Sequence, residues 1–292
     1  MAKLKEIRTR IASVKNTRQV TSAMKLVSAA KLKKAQDYLL HIVPYVKKLD
    51  AILHNLTTGG ITVDSVFFEE REVDKVLIIA IGSNRGLCGA FNSNVAKMAK
   101  IYAQHNFPIH AKMNNIAHLT IGRQVEKELK SMGQNIIFEA NDLIDNLDYD
   151  SASKLVEQLM HWFTENRYQQ IHIVYNKFKN AAVQDMTTEQ FLPVTQPEVK
   201  DGYNYQKEYI YEPAKSEVYN KLIPLALKMH FYSVMLDSHA AEHGARMTSM
   251  HQATDNATEL LKELNKTYNN ARQSAITNEI LEITGGAEAL NK

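Results

Sequence analysis

Two stretches of this chain, one at each end, nearly lack the residues that stop a helix. From Lys3 to Leu56 there is no Gly and a single Pro, Pro44; from Lys215 to Ile283 there is one of each, Gly244 and Pro224. At a rise of about 1.5 Å per residue such helices reach on the order of 80 and 100 Å, far longer than the usual three turns. Neither can bury an apolar stripe inside a compact body. Pairing the two ends as an antiparallel coiled coil buries both stripes and leaves the middle of the chain to fold at its side.

The spacing of apolar residues supports that reading. Leu4, Ile7, Ile11 and Val14 follow a 3-4 rhythm, as do Leu32, Ala35, Leu39, Ile42, Val46, Leu49, Leu53 and Leu56. Between these runs the pattern implies a phase slip, with Val20, Met24 and Val27 carrying the stripe through a polar stretch that is expected to meet a partner protein. In the last segment Val218, Leu222, Leu225, Met229, Tyr232 and Leu236 keep the spacing, and Met250, Ala253, Ala257, Leu260 and Leu264 resume it. Pro224 is expected to kink or delay this helix, and Gly285-Gly286 to end it.

The middle alternates strand and helix patterns. Lys75–Ile81 reads as a buried strand, followed by a Gly-rich loop and a helix near Asn92–Tyr102. Strands follow at 117–121, 135–138, 171–175 and 183–191, with helices at 123–132 and 151–166. This order favours a parallel, doubly wound, Rossmann-like sheet. The expected organisation is therefore α/β: a coiled-coil helix at 1–58, an α/β domain at 72–195, and a second coiled-coil helix with a foot segment at 208–292.

With 292 residues, 45% of them hydrophobic and 23% charged, the chain can bury a sizeable core. One cysteine, Cys88, excludes an internal disulfide framework. No apolar run is long enough for a membrane span, and the start MAKLKEIRTR carries no signal-peptide apolar region, so a cytosolic location is expected. Charge is segregated: Met1–Gln36 holds ten Lys or Arg against Glu6 alone, whereas Asp237–Leu290 holds eight acids against four bases.

Three motifs invite chemical readings. Gly82-Ser83-Asn84-Arg85-Gly86-Leu87-Cys88-Gly89 sits between a strand and a helix, where phosphate loops occur, but lacks their Lys and their Gly spacing; a tight turn is favoured. His239-Ala240-Ala241-Glu242-His243 matches H-x-x-E-H, which places two imidazoles one helical turn apart around a carboxylate, yet a working zinc site needs a third ligand and a cleft. The basic face formed by Arg8, Arg10, Lys15, Arg18, Lys25, Lys31, Lys33 and Lys34 fits an acidic protein partner better than nucleic acid, which usually meets a more concentrated run. No metal, cofactor or nucleic acid is expected.

Three separated patterns identify a family. Ile7-Arg8-x-Arg10-Ile11-Ala12-Ser13-Val14-x-Asn16-Thr17 with Thr21-x-Ala23-Met24-x-x-Val27-Ser28-Ala29-Ala30-Lys31, the central Ser83–Gly89, and Glu242-x-x-Ala245-Arg246-Met247 continued through Asp255-Asn256-Ala257, Ala271-Arg272-Gln273, Ile276-Thr277 and Gly285-Gly286-Ala287 closely resemble the γ subunit of F-type ATP synthases. Asn84 stands where that family usually has Asp. The paired regulatory cysteines of plant-type members are absent, so thiol switching is not carried over.

The resemblance implies a central rotor stalk. It would stand inside a hexamer of α and β subunits, peripheral to the cytoplasmic face of a bacterial inner membrane, with the c ring and the ε subunit at its foot. Nucleotide chemistry would belong to β, so this chain is not expected to be a catalyst. By motif position Met24, Arg246, Arg272, Gln273 and Thr277 correspond to residues that engage β or couple the stalk helices to it. Ile280, Ile283, Ala287 and Leu290 correspond to the tip turning in the αβ bearing; Tyr45, Tyr209, Tyr211 and Glu212 to the foot on the c ring and ε. The alternative left open is a non-rotary coiled-coil adaptor with an α/β binding domain.

Overall fold

A computed structural model of the chain describes residues 2–58, 65–145, 147–194 and 215–290. The elements run α1 (Ala2–Thr58), β1 (Val76–Ile81), α2 (Phe91–Asn106), α3 (Pro108–Lys112), β2 (Ile116–Ile121), α4 (Arg123–Ser131), β3 (Ile136–Glu139), α5 (Asp142–Asp145), α6 (Tyr149–Thr164), β4 (Gln170–Phe178), β5 (Gln184–Leu192) and α7 (Lys215–Leu290), with a 3₁₀ turn at Val66–Phe68. Contacts group the chain into two compact units: Met1–Ser28 with Met247–Lys292, and Ala29–Arg246. The two long helices contribute to both.

In the first unit α1 and α7 pack antiparallel. Arg8 Nη2 donates to the Tyr268 hydroxyl at 2.9 Å, Thr254 Oγ1 donates to Thr21 Oγ1 at 2.8 Å, and Lys25 Nζ lies 3.4 Å from His251 Nδ1. As one number rises from 8 to 25 the other falls from 268 to 251, which fixes both direction and register. The α7 side of the seam is Met250, Ala257, Leu261 and Leu264, with Ala253, Leu260, Tyr268, Ala271 and Ala275 half-buried.

The expected phase slip on α1 does not occur. Val20 and Val27 are each 58% exposed, and the covered positions continue as Ile11, Val14, Arg18, Thr21, Lys25 and Ser28 without a break in 3-4 spacing. Polar side chains keep the heptad here because partners across the seam satisfy them. A polar layer of this kind fixes register at some loss of stability.

The second unit is built on a five-stranded sheet in the order β3-β2-β1-β4-β5. Strands β1 to β4 run parallel; β5 pairs antiparallel with β4 through a tight hairpin, so the sheet is not parallel throughout as the order of elements implied. Every residue of β1, Val-Leu-Ile-Ile-Ala-Ile, is buried, because helices cover both faces. Val76, Ile78 and Ala80 pack with Val95, Ala96 and Ala99 of α2 and Val125 and Leu129 of α4. Leu77, Ile79 and Ile81 pack on the other face with α6 and with Ile223, Leu227, Phe231 and Met235 of α7. Right-handed crossovers demand this: the chain winds outward through β1, β2 and β3 with α2 and α4 on one side, then reverses past β1, which puts α6 on the other.

Two end signals are overridden. Helix α7 begins ahead of Pro224 and continues through Gly285 and Gly286 to Leu290. At the head of α6, Asp148 caps the helix, its Oδ1 accepting the Ser151 N–H at 2.8 Å.

Candidate functional surfaces

In a doubly wound sheet, ligands bind in the crevice outside the carboxyl ends of the two strands where the winding reverses. Here those strands are β1 and β4, and the crevice is filled by α7. Asp237 Oδ1 accepts the Phe178 N–H at the end of β4 at 3.0 Å. Ala241 and Ala245 pack with Cys88 and Phe91, and Phe178 lies against them. At Gly244 a Cβ would sit 3.2 Å from the Phe178 ring and 3.3 Å from the Ala181 Cα, so the small residue is what lets the β4–β5 hairpin approach.

The loop after β1 is shaped to grip this helix. Asn92, on the first turn of α2, accepts the Ser83 N–H at Oδ1 and donates from Nδ2 to Ser83 Oγ, both at 2.8 Å. Ser83 Oγ in turn donates to the Arg85 carbonyl at 2.7 Å. Leu87 and Gly89 adopt left-handed φ values of 63° and 61°. A Cβ at Gly122, φ 121°, would come within 2.7 Å of the Ser83 backbone nitrogen, so only glycine fits where the β2–α4 turn crosses the loop.

Arg246 closes the arrangement. It is 6% exposed; Nη2 donates to the Arg85 carbonyl at 2.9 Å, Nε to the Gly86 carbonyl at 3.3 Å, and Nη1 to Glu242 Oε1 at 2.6 Å. The loop therefore presents carbonyl oxygens to a guanidinium. A phosphate cradle presents N–H groups to an anion, so the polarity is opposite to that of a nucleotide loop. Burial raises the Cys88 thiol pKa above its ordinary value, which keeps it a neutral packing group.

The H-x-x-E-H match folds into the same grip. Glu242 is engaged by Arg246, and the His239 and His243 rings meet edge-on with centroids 4.4 Å apart. Burial, then the charges of Lys31 and Arg246, lower His239 to about 4; burial, His239 and those two cations drive His243 lower still. Both imidazoles are neutral at pH 7. Among the described residues no three His, Cys, Asp or Glu side chains gather as a metal site would require.

Asn84 explains its own departure from Asp. Its Oδ1 accepts the Arg123 N–H at the start of α4 at 3.1 Å, while Nδ2 donates to the Asn141 carbonyl at 2.8 Å and to Asp145 Oδ2 at 2.9 Å. The amide caps α4 and faces a carboxylate; an Asp would cap equally but repel Asp145.

The remaining expected site residues are distributed along the helices. Met24 is half-buried beside the polar seam, and Tyr45 is 46% exposed on α1. Arg272, Gln273 and Thr277 are exposed on α7, with Thr277 Oγ1 bonded back to the Gln273 carbonyl at 3.0 Å. From Ile276 to Gly286 every residue is exposed, because the register with α1 uses up that helix near its start. Ile280 and Ile283 lie in this overhang, at 55% and 66% exposure; Ala287 and Leu290 belong to its last turns. Tyr209, Tyr211 and Glu212 lie outside the described residues. What sequence reasoning missed is the inward role of Arg246; its i,i+4 spacing from Glu242 was the available signal.

The family model described as ATP synthase matches residues 3–290. A protein named ATP synthase gamma chain from Christiangramia forsetii is 49% identical over 292 residues, and one of the same name from Cytophaga hutchinsonii is 45% identical over 294, each alignment covering 100% of both chains. Among solved structures, a chain of the Euglena gracilis mitochondrial ATP synthase, from its OSCP/F1/c-ring part in rotational state 3, superposes with a TM-score of 0.68 at 18% identity, covering 99% of this chain and 95% of that one.

Proposed function

Because this chain belongs to the ATP synthase γ-chain family, we propose that it is the rotor stalk of an F1 sector, coupling ion flow through a membrane c ring to ATP synthesis or hydrolysis on β subunits. The observation that carries the reading is the overhang of α7. Ile276, Ile280 and Ile283 fall at i, i+4 and i+7 on one face, all at least 49% exposed, past the point where α1 can cover them. Fifteen residues from Ile276 to Leu290 extend about 22 Å. The three exposed isoleucines form an apolar stripe about 10 Å long, which in water calls for a surrounding surface, and the sleeve of an α3β3 hexamer is one.

Rotary coupling needs a stalk that favours one β conformation strongly. Reversing a 1:99 preference takes roughly 5.5 kcal/mol of differential interaction. One helix that outruns its partner cannot present the same face to three identical neighbours. Arg272 and Gln273, exposed at the root of the overhang, supply charge-assisted and neutral hydrogen bonds to a β loop, with Thr277 one turn further toward the tip; Met24, next to the Lys25–His251 contact, acts about 30 Å back along the seam. Arg246 acts indirectly, by seating α7 on the sheet unit.

In this reading the chain itself is not a catalyst, and its partners are α, β, ε and the c ring. Its foot includes Tyr45, Tyr209, Tyr211 and Glu212. It is peripheral to the cytoplasmic face of a bacterial inner membrane; among the described residues no helix is long and apolar enough to cross one.

The test is reconstitution with α and β subunits from the same source, with a bead on the sheet unit. Wild type should rotate under ATP, and Arg272→Ala with Gln273→Ala should assemble but turn over ATP more slowly. A stable complex that neither rotates nor stimulates hydrolysis would replace the rotor with an adaptor. Unchanged turnover and torque in the double variant would refute the assignment of those two residues.

A further inference from the structure

One polar cluster of the sheet unit lies apart from the Arg246 grip. His230, on α7, places Nε2 at 2.9 Å from Glu189 Oε1 on the edge strand β5, and its ring stacks on Phe191 with centroids 6.5 Å apart and planes 16° from parallel. Asp50 of α1 acts on the same imidazole with its negative charge, Lys177 of β4 opposes it with a positive one, and Tyr175 of β4 bonds to Glu189 from the strand side. Two elements far apart in sequence thus meet at one imidazole, α7 through His230 itself and β5 through Glu189, while Asp50 of α1 adds only its negative charge.

A neutral imidazole in this position would offer Glu189 one ordinary hydrogen bond and would give Asp50 nothing. A protonated one is attracted to both carboxylates at once and turns the bond to Glu189 into a charge-assisted one, about twice as strong. Among the described residues Lys177 is the cation set against these attractions. We propose that His230 is a proton-operated tie, closed when the imidazole is charged, which holds α7 to the edge strand of the sheet through Glu189. The tie loosens when the proton leaves, because Glu189 is then held only by a neutral ring.

The direction of the pH effect follows. Burial is the largest single effect and favours the neutral ring, but Glu189, by its hydrogen bond and its charge, together with Asp50 outweighs it and raises the imidazole pKa. A base whose folded pKa lies above its unfolded value contributes stability that is complete below the unfolded value and lost as pH rises through the folded one. This is opposite to His239 and His243, which are held neutral by burial and neighbouring cations.

The experiment is an NMR titration of the histidine ring protons in the full-length chain. The His230 signal is identified by its disappearance in His230→Gln. It should titrate above the ordinary histidine value, move down in Glu189→Gln, and move down by less in Asp50→Asn. A midpoint at or below the ordinary value, or one that neither substitution moves, overturns the proposal. Thermal melts separate charge from packing: relative to wild type, His230→Gln should melt a few degrees lower at about pH 6 and lose that deficit by about pH 9. An equal deficit at both pH values assigns the imidazole a packing role only and overturns it too.

Discussion

Replacing Arg246 by Met keeps most of the side-chain volume in the crevice but removes the guanidinium. Glu242, 5% exposed, would then be a buried carboxylate without its Arg246 ion pair, left with only the more distant charge of Lys31 among the described cations. Burial already outweighs Arg246 in setting its proton affinity, raising the pKa above the ordinary value even with the ion pair formed. Breaking a buried pair from one side costs about 3–5 kcal/mol. The Gly86 carbonyl would lose its Arg246 donor, adding about 1 kcal/mol, whereas the Arg85 carbonyl keeps Ser83 Oγ. The expected loss is about 4–6 kcal/mol at neutral pH, read by urea unfolding of the full chain, with faster hydrogen exchange at 82–89. Adding Glu242→Gln should restore about half, since no charge is then left buried. The deficit of the single variant should also shrink in mild acid as Glu242 takes up a proton. A loss under about 1 kcal/mol, or a double variant no better than the single one, would show that the ion pair does not hold the loop to the helix.

Asn84→Asp sets two carboxylates against each other across the present 2.9 Å contact with Asp145 and should destabilise the chain by about 1–2 kcal/mol in thermal melts, with Asp145→Asn restoring most of it. His239 gives a pH signature of definite sign. With its pKa lowered from 6.5 to about 4, the unfolded chain binds the proton first, so its contribution is complete above the ordinary histidine value and lost as pH falls toward about 4. Wild type should lose up to about 3 kcal/mol more than His239→Gln between about pH 7 and pH 4; parallel curves would refute this.

The long helices and the positions of the strands along the chain were legible because they depend on local signals: scarcity of Gly and Pro, 3-4 spacing, and apolar runs bounded by turns. The polar seam from Arg18 to Ser28 was not, since hydrophobicity alone pointed to Val20 and Val27, which are exposed. Thr21 and Lys25 hold their places through Thr254 and His251, partners more than 220 residues away. The same distance in sequence hid the bonds of Arg246 to Arg85 and Gly86. Gly285-Gly286 was misread as a stop because the weak helix propensity of glycine is only a local preference, about 1 kcal/mol each, and α7 runs through both. The short helices α3 and α5, of five and four residues, are too brief to show a period.

The glycine-rich loop and the switch-point crevice are the two features that most invite a nucleotide, and one helix removes both. A phosphate needs several free N–H groups, but the Ser83 N–H is taken by Asn92, and the oxygens of Arg85 and Gly86 face a cation. A base or ribose needs the volume outside β1 and β4, but Asp237, Ala241, Gly244 and Ala245 fill it. What binds at the switch point is thus a helix of the same chain, seated by the same carbonyls that would repel a phosphate. This turns a ligand-binding geometry into an anchorage. A helix projecting beyond any partner near its tip can transmit force only if its root is fixed. Helix α7 is fixed at the sheet by one buried ion pair, two carbonyl bonds and a small-residue contact, none of which water easily replaces.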